Sequence, residues 1–208
     1  MGSRIMHLII ANKIADSLAI KDKASFLIGG IAPDAVPTKD ISHFFKGEVQ
    51  DYTRYIDYQG FLHTYRSHRE SYYILGYFTH LIADDIWLQG FNLAWLKNRM
   101  EADEGLYKLY HHDFRLLNGK LLEYYGVKDE LRSWLSIQTT IMDLQEVKAS
   151  EVEQFIPSAL GDMEYDQDEL NESLHVFTFD QIVGYIETSV DKGLIHLKPI
   201  LTLTTDLN

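Results

Sequence analysis

From Glu70 to Trp87 the bulky residues fall at helical spacing, and Tyr73, Tyr77, His80, Asp84 and Trp87 form one stripe. This stripe constrains the chain more than any other feature, because it carries an imidazole and a carboxylate on a face that must be buried. An ionised Asp84 in such a place requires a cation or hydrogen bonds. No Lys or Arg lies within the segment, and the nearest are Arg69 and Lys97. His80 and Asp84 stand at i and i+4, on the same face one turn apart. Side chains so placed can grip one divalent ion. A buried His–Asp hydrogen bond is the alternative reading of the same pair.

The rest of the chain reads as helical too. His7, Ala11, Ile14 and Leu18 share one face of a first helix. Lys21–Ile28 reads as a second, ended by Gly29-Gly30. Two prolines in the segment from Ile31 to Pro37 disfavour helix there. The aromatic stretch up to Ser67 reads as short helices and turns. Phe91–Met100, Leu106–Tyr125, Glu130–Leu135, Glu151–Leu160 and Phe179–Val190 read as further helices, with Gly126 as a stop signal. Strand signals are weak throughout. The predicted fold class is an all-α multi-helix bundle, one domain over residues 1–208, long enough to bury a core without staples.

Composition narrows the chemistry. Lys plus Arg number 19 and Asp plus Glu 31, a net charge of −12. That balance excludes a broad nucleic-acid-binding surface and simple attraction to anionic membranes. It suits cationic ligands. There is no cysteine and there are nine histidines, so any metal must be held by His, Asp, Glu or backbone oxygen. No apolar run reaches the length of a membrane span, and the N-terminal segment lacks the pattern of a secretory signal. A cytoplasmic location is the expectation.

Three further residues are candidates for the same chemistry. His7 lies on the apolar face of the first helix, where a histidine bonded to backbone is the ordinary explanation. Asp34 follows Pro33 in a loop, where an Asx-turn or helix cap is ordinary. His43, in Ser42-His43-Phe44, could pack as an aromatic. His63 and His68 read as surface-loop residues, and His175 and His196 as structural ones.

Four segments then occur in order: His7-Leu-Ile-Ile-Ala11, Ile28-Gly-Gly-Ile-Ala-Pro-Asp34, Ser42-His43-Phe44 and Leu75-Gly-Tyr-Phe-Thr-His80-Leu-Ile-Ala-Asp84. Over roughly the first 90 residues this resembles the zinc-dependent phospholipase C family, which is related to fungal single-strand nucleases. The resemblance implies an all-α bundle holding up to three zinc ions that hydrolyse phosphate esters. It implies Asp34, His43, His80 and Asp84 as ligands of one metal, and His7 as a ligand of a neighbouring metal, with Asp84 bridging. The chain departs from the family pattern after the HxxxD helix, where a further His is replaced by Leu88-Gln89-Gly90. The family's second helical His and Glu pair has its nearest analogue in Tyr110-His111-His112-Asp113-Phe114-Arg115, which lacks the Glu. His112 is retained as a candidate ligand, with His111 and Asp113 beside it, and a solvated His-His pair at a helix start is an equal alternative. One or two ions are expected, zinc or another divalent metal such as Ni, Mn or Fe.

The function that follows is metal-dependent hydrolysis of a phosphate ester. Asp34 and Asp84 are the candidate catalytic residues, Asp34 either binding metal or taking the proton from water. The substrate is a small phosphate ester or a phospholipid. Arg54, Arg66 and Arg69 are candidates for phosphate contact, and Tyr52, Tyr55, Tyr58 and Phe61 for an apolar lip. Two alternatives stand beside this reading: a non-catalytic, metal-stabilised binding or regulatory module, and an HD-type phosphohydrolase built on His112-Asp113. Asp85, about 100° round the helix from Asp84, would orient a histidine or face solvent.

Overall fold

A computed structural model describes residues 2–205 and shows an all-α, multi-helix fold. Its α-helices are α1 (Arg4–Ser17), α2 (Lys23–Gly29), α3 (Lys39–Ser42), α4 (Tyr58–Thr64), α5 (Tyr72–Trp87), α6 (Lys97–Ala102), α7 (Leu106–Tyr125), α8 (Lys128–Leu135), α9 (Ala149–Gly161) and α10 (Phe179–Thr205). Two short strands, β1 (Phe45–Lys46) and β2 (Tyr55–Ile56), pair antiparallel with Phe45 opposite Ile56.

The helix α1 is buried on nearly every side, which explains why its apolar run from Ile5 to Ile10 has so little polar contrast. Ser3 caps it by accepting from the Met6 N–H at 3.3 Å. Helix α5 crosses α2 at very close range. A Cβ on Gly76 would lie 2.0 Å from the Phe26 carbonyl oxygen, and one on Gly29 would lie 2.1 Å from that of Tyr73. Only glycine allows the two backbones to meet in this way. The α10 helix closes the core against α1 and α5. It runs on to Thr205, well beyond Val190, where the sequence reading ended it. A Cβ on Gly193 would fall 2.4 Å from Ile14 Cδ1, so this glycine marks a close helix contact.

Two local features differ from expectation and aim side chains at the site. The Pro33 segment forms a 3₁₀ turn, Ala32–Ala35, with the proline in the first turn, where its missing N–H leaves no bond unmade. Past Trp87 the chain does not stop. Leu88–Leu96 continues as π-helix into α6 and presents Leu88, Asn92 and Leu96 to one cavity. One continuous apolar core joins α1, α2, α5, α7, α8, α9 and α10. No described helix is long and apolar enough to cross a membrane.

Candidate metal centre

Five of the six ligand-type residues singled out from sequence converge. His7 comes from α1, Asp34 from the 3₁₀ turn, His43 from the end of α3, and His80 and Asp84 from α5. His7, His43, His80 and Asp84 are at most 2% exposed. Next to His43, Phe44 adopts φ +54° between α3 and β1. That left-handed conformation in a bulky residue is held by the packing of its ring edge-on to Phe61, 5.3 Å between centroids.

Asp84 is the hub. Its Oδ1 lies 3.2 Å from His7 Nε2, and its Oδ2 lies 3.1 Å from His43 Nε2 and 3.5 Å from His80 Nε2. The Gly2 backbone N–H donates to Asp84 Oδ1 at 3.4 Å. Asp34 Oδ1 lies 3.6 Å from His43 Nε2. Potential ligand atoms fall into two triplets, His7–Asp34–His80 and His43–His80–Asp84, each within 4.8 Å and sharing His80. The resemblance divides the same residues differently, with Asp84 as the shared group.

The hydrogen-bond network states what the ring nitrogens can offer. The Gly30 carbonyl can only accept, so the His80 Nδ1 atom 2.8 Å away carries the proton and Nε2 of the neutral ring presents a lone pair. His43 Nδ1 is taken up by Ser42 Oγ at 2.9 Å. The two Nε2 atoms then face each other at 3.2 Å beside a carboxylate oxygen. Both ring nitrogens of His7, and Oδ2 of Asp84, are buried without a well-directed hydrogen bond. His7 stacks on His80 with centroids 3.8 Å apart. Buried lone pairs that point at one another are costly unless a proton or cation lies among them. A divalent ion would satisfy this donor set, in which the second nitrogen of His80 is already tied to backbone, and so would a proton on His80 shared with its neighbours.

Charge shifts follow the same geometry. Burial pushes the His7 and His43 imidazoles down, more than Asp84 lifts them. Burial opposes protonation of His80 as well, but Asp84 and Asp34 together raise it. Asp84 falls well below the usual carboxylate range, its burial outweighed by His80 and His7. Asp34 falls to about 2, because His80 and Lys39 outweigh burial. Lys39 is a residue the sequence reading did not nominate. Its Nζ lies 2.7 Å from Asp34 Oδ1 and 2.9 Å from the Asp34 carbonyl oxygen. Lysine at i+5 across a loop has no sequence signature, since the short helix α3 decides where it points.

The centre opens outward. A cavity of about 660 Å³ is lined by Asp34, Asp84, Lys39 and Arg54, with Phe45, Val49, Leu88, Leu96 and Met100 as its apolar wall. Arg54 pairs with Asp40 and stacks over Phe45 at 4.1 Å. Arg66, Arg69, His63 and His68 are exposed around the end of α4 and do not line this cavity. The expected aromatic lip is dispersed. Tyr52 and Tyr55 are exposed, whereas Phe61 is fully buried and stacked on Tyr77 at 4.5 Å.

The second set of candidates is arranged for other work. His112 lies 3.4 Å from Glu172 and is outside both triplets, whereas His111 lines the cavity. Asp113 is fully buried, and its carboxylate accepts from the backbone N–H groups of His175, Val176 and Phe177 at 2.7–3.2 Å. Its oxygens are committed to that turn, which removes the His112-Asp113 dipeptide as an HD-type metal pair. Asp85 neither orients a histidine nor stays free, since its Oδ1 accepts from Ile56 N–H at 3.0 Å and anchors β2. Compared with known proteins, the chain matches no family model, no curated sequence and no solved structure.

Proposed function

We propose that the protein is a metal-dependent hydrolase of phosphate esters, with the His7, Asp34, His43, His80 and Asp84 cluster as its metal centre. The observation that carries this reading is that the partly exposed Asp34 opens onto a cavity, with Asp84 on its inner wall, while Asp84 and the three imidazoles are themselves sealed from solvent. A purely structural ion is normally enclosed on all sides, whereas a catalytic one keeps an accessible face. The sequence resemblance to the zinc-dependent phospholipase C family supports phosphate esters over other substrates. Lys39 and Arg54 on the same cavity support an anionic substrate.

When bound, a divalent ion would lower the pKa of a water molecule to about 7 and offset charge on phosphoryl oxygens. The chain's own residues divide the remaining work. His80 is oriented by Gly30 and His43 by Ser42, so their Nε2 atoms need no reorganisation to bind. Asp34 stays ionised at any physiological pH with its pKa near 2. Such a carboxylate is a weak base, which favours a ligand role for it over proton transfer. Lys39 and Arg54 are positioned to contact phosphoryl oxygens.

The test has two parts. Elemental analysis of the purified protein should find a divalent transition metal, and Asp84→Asn should reduce its content by at least about tenfold. Metal-loaded protein should hydrolyse simple phosphomonoesters or diesters, and removing the metal should abolish the activity. A protein that binds metal, loses stability with it and hydrolyses neither class would support the regulatory-module reading instead.

A further inference from the structure

Beside the cavity just described lies a second pocket of about 360 Å³, which shares Gly2, Asp34 and Lys39 with it but differs in character. Three cations, Arg4, Lys39 and Arg115, line it. That is a notable concentration in a chain of net charge −12. Two carboxylates, Asp34 and Asp162, are also in its lining. Arg4 Nε pairs with Asp162 at 2.5 Å, Lys39 with Asp34 at 2.7 Å, and Arg115 with Glu169, which is outside the pocket lining.

An independent feature points to a ligand. Asn118 lines the same pocket, is only 9% exposed, and its amide oxygen is buried without a hydrogen-bond partner. An anion cannot donate to that oxygen, but the two ends of an asparagine amide exchange by rotation, which turns its NH2 donors to the same position. A buried polar group left unmatched on a pocket wall is costly unless something in the pocket matches it.

We infer that this pocket is a subsite for a second anionic group, a carboxylate or phosphate, carried on the ester that the neighbouring centre binds. The inference rests on the metal-centre reading, because a divalent ion on Asp34 takes over the charge that Lys39 now balances. Lys39 is then left facing the pocket with its charge unmatched, beside the paired Arg4 and Arg115. The substrate is thereby divided. Its scissile phosphoryl group sits at the shared floor, a second anion extends toward Arg4, Arg115 and Asn118, and any apolar part occupies the larger cavity.

The experiment measures binding of three non-hydrolysable probes to metal-loaded protein by calorimetry. Propylphosphonate carries no second anion, 3-phosphonopropanoate adds a carboxylate, and propane-1,3-diphosphonate adds a second phosphonate. At least one doubly anionic probe should bind about tenfold more tightly than propylphosphonate. The probe that does so identifies which anion the subsite takes. Arg115→Gln, at an exposed position, and Arg4→Gln should each remove most of that gain without changing propylphosphonate affinity or metal content. Equal affinity for all three probes overturns the subsite alone. So does a gain that survives both substitutions. A protein that takes up no metal overturns the metal-centre reading and the subsite with it.

Discussion

Asp84 and Asp113 are both buried aspartates on apolar helix faces, and they are accommodated by different means. Asp113 meets the backbone N–H groups of residues 175–177, which together hold a carboxylate as a cation would. Asp84 meets three imidazoles and one backbone N–H instead. The two should respond differently to substitution. Asp113→Ala should destabilise the fold by about 3 kcal/mol or more in chemical denaturation, since it orphans several buried donors, with metal stoichiometry unchanged. Asp84→Asn should lose metal first. The His80–Asp84 spacing made that pair legible in sequence. Asp113 carries a comparable signal, a carboxylate in line with Leu106, Leu117 and Leu121, but nothing local says that a turn 60 residues later supplies its partners. The choice between His111 and His112 likewise depends on the phase of α7 against its neighbours.

At the scale of elements, the α2–α5 crossing does most to build the site. Because Gly29 and Gly76 let the backbones touch, the Gly30 carbonyl reaches His80 Nδ1. Gly76→Ala should therefore lower stability by at least about 2 kcal/mol, the backbone having no room to yield. It should also weaken metal binding, read as a fall in affinity by competition with a chelator. A second joint ties α1, α2 and α8 through Lys23, which pairs with Asp16 at 2.5 Å and Glu130 at 2.6 Å. Hydrogen bonding from Lys23 lowers the Glu130 pKa. A depressed carboxylate stabilises the fold above its unfolded value of about 4.3, and that contribution is lost as pH falls through the folded value. Urea denaturation followed from about pH 6 down to pH 3 should show a steeper loss in wild type than in Glu130→Gln. The effect is small because the carboxylate is partly solvated.

For the molecule as a whole, metal and stability are linked. A ligand that binds only the folded chain adds about 4 kcal/mol when present at a thousand times its Kd. In a protein of 208 residues that corresponds to a rise in Tm of about 10 °C. Scanning calorimetry with zinc, and again after chelation, should show the rise and its reversal. Protons compete for the same imidazoles, so the rise should shrink on acidification below about pH 6. The charge of −12 belongs to this scale as well. It disfavours polyanions at a distance, yet the pockets around the centre hold Arg4, Lys39, Arg54 and Arg115. The linings balance these four cations against Asp34, Asp40, Asp84 and Asp162, a locally neutral patch on an acidic chain, because the fold gathers residues that are far apart in the sequence.

Helical class, the HxxxD pair and the absence of thiol ligands were determined by sequence alone, since each depends on residue type or on spacing within one element. The same holds for the nomination of His7, Asp34 and His43, which rested on residue type, local context and the family likeness. Tertiary structure decided the rest. It set the pairing of Lys39 with Asp34, the retirement of Asp113 and Asp85 from the site, the π-helical continuation past Trp87 and the two unlike pockets that meet at Asp34. Each of these is a matter of where side chains end up after helices pack. Helix packing is governed by contacts between residues tens of positions apart, about which local spacing carries no information.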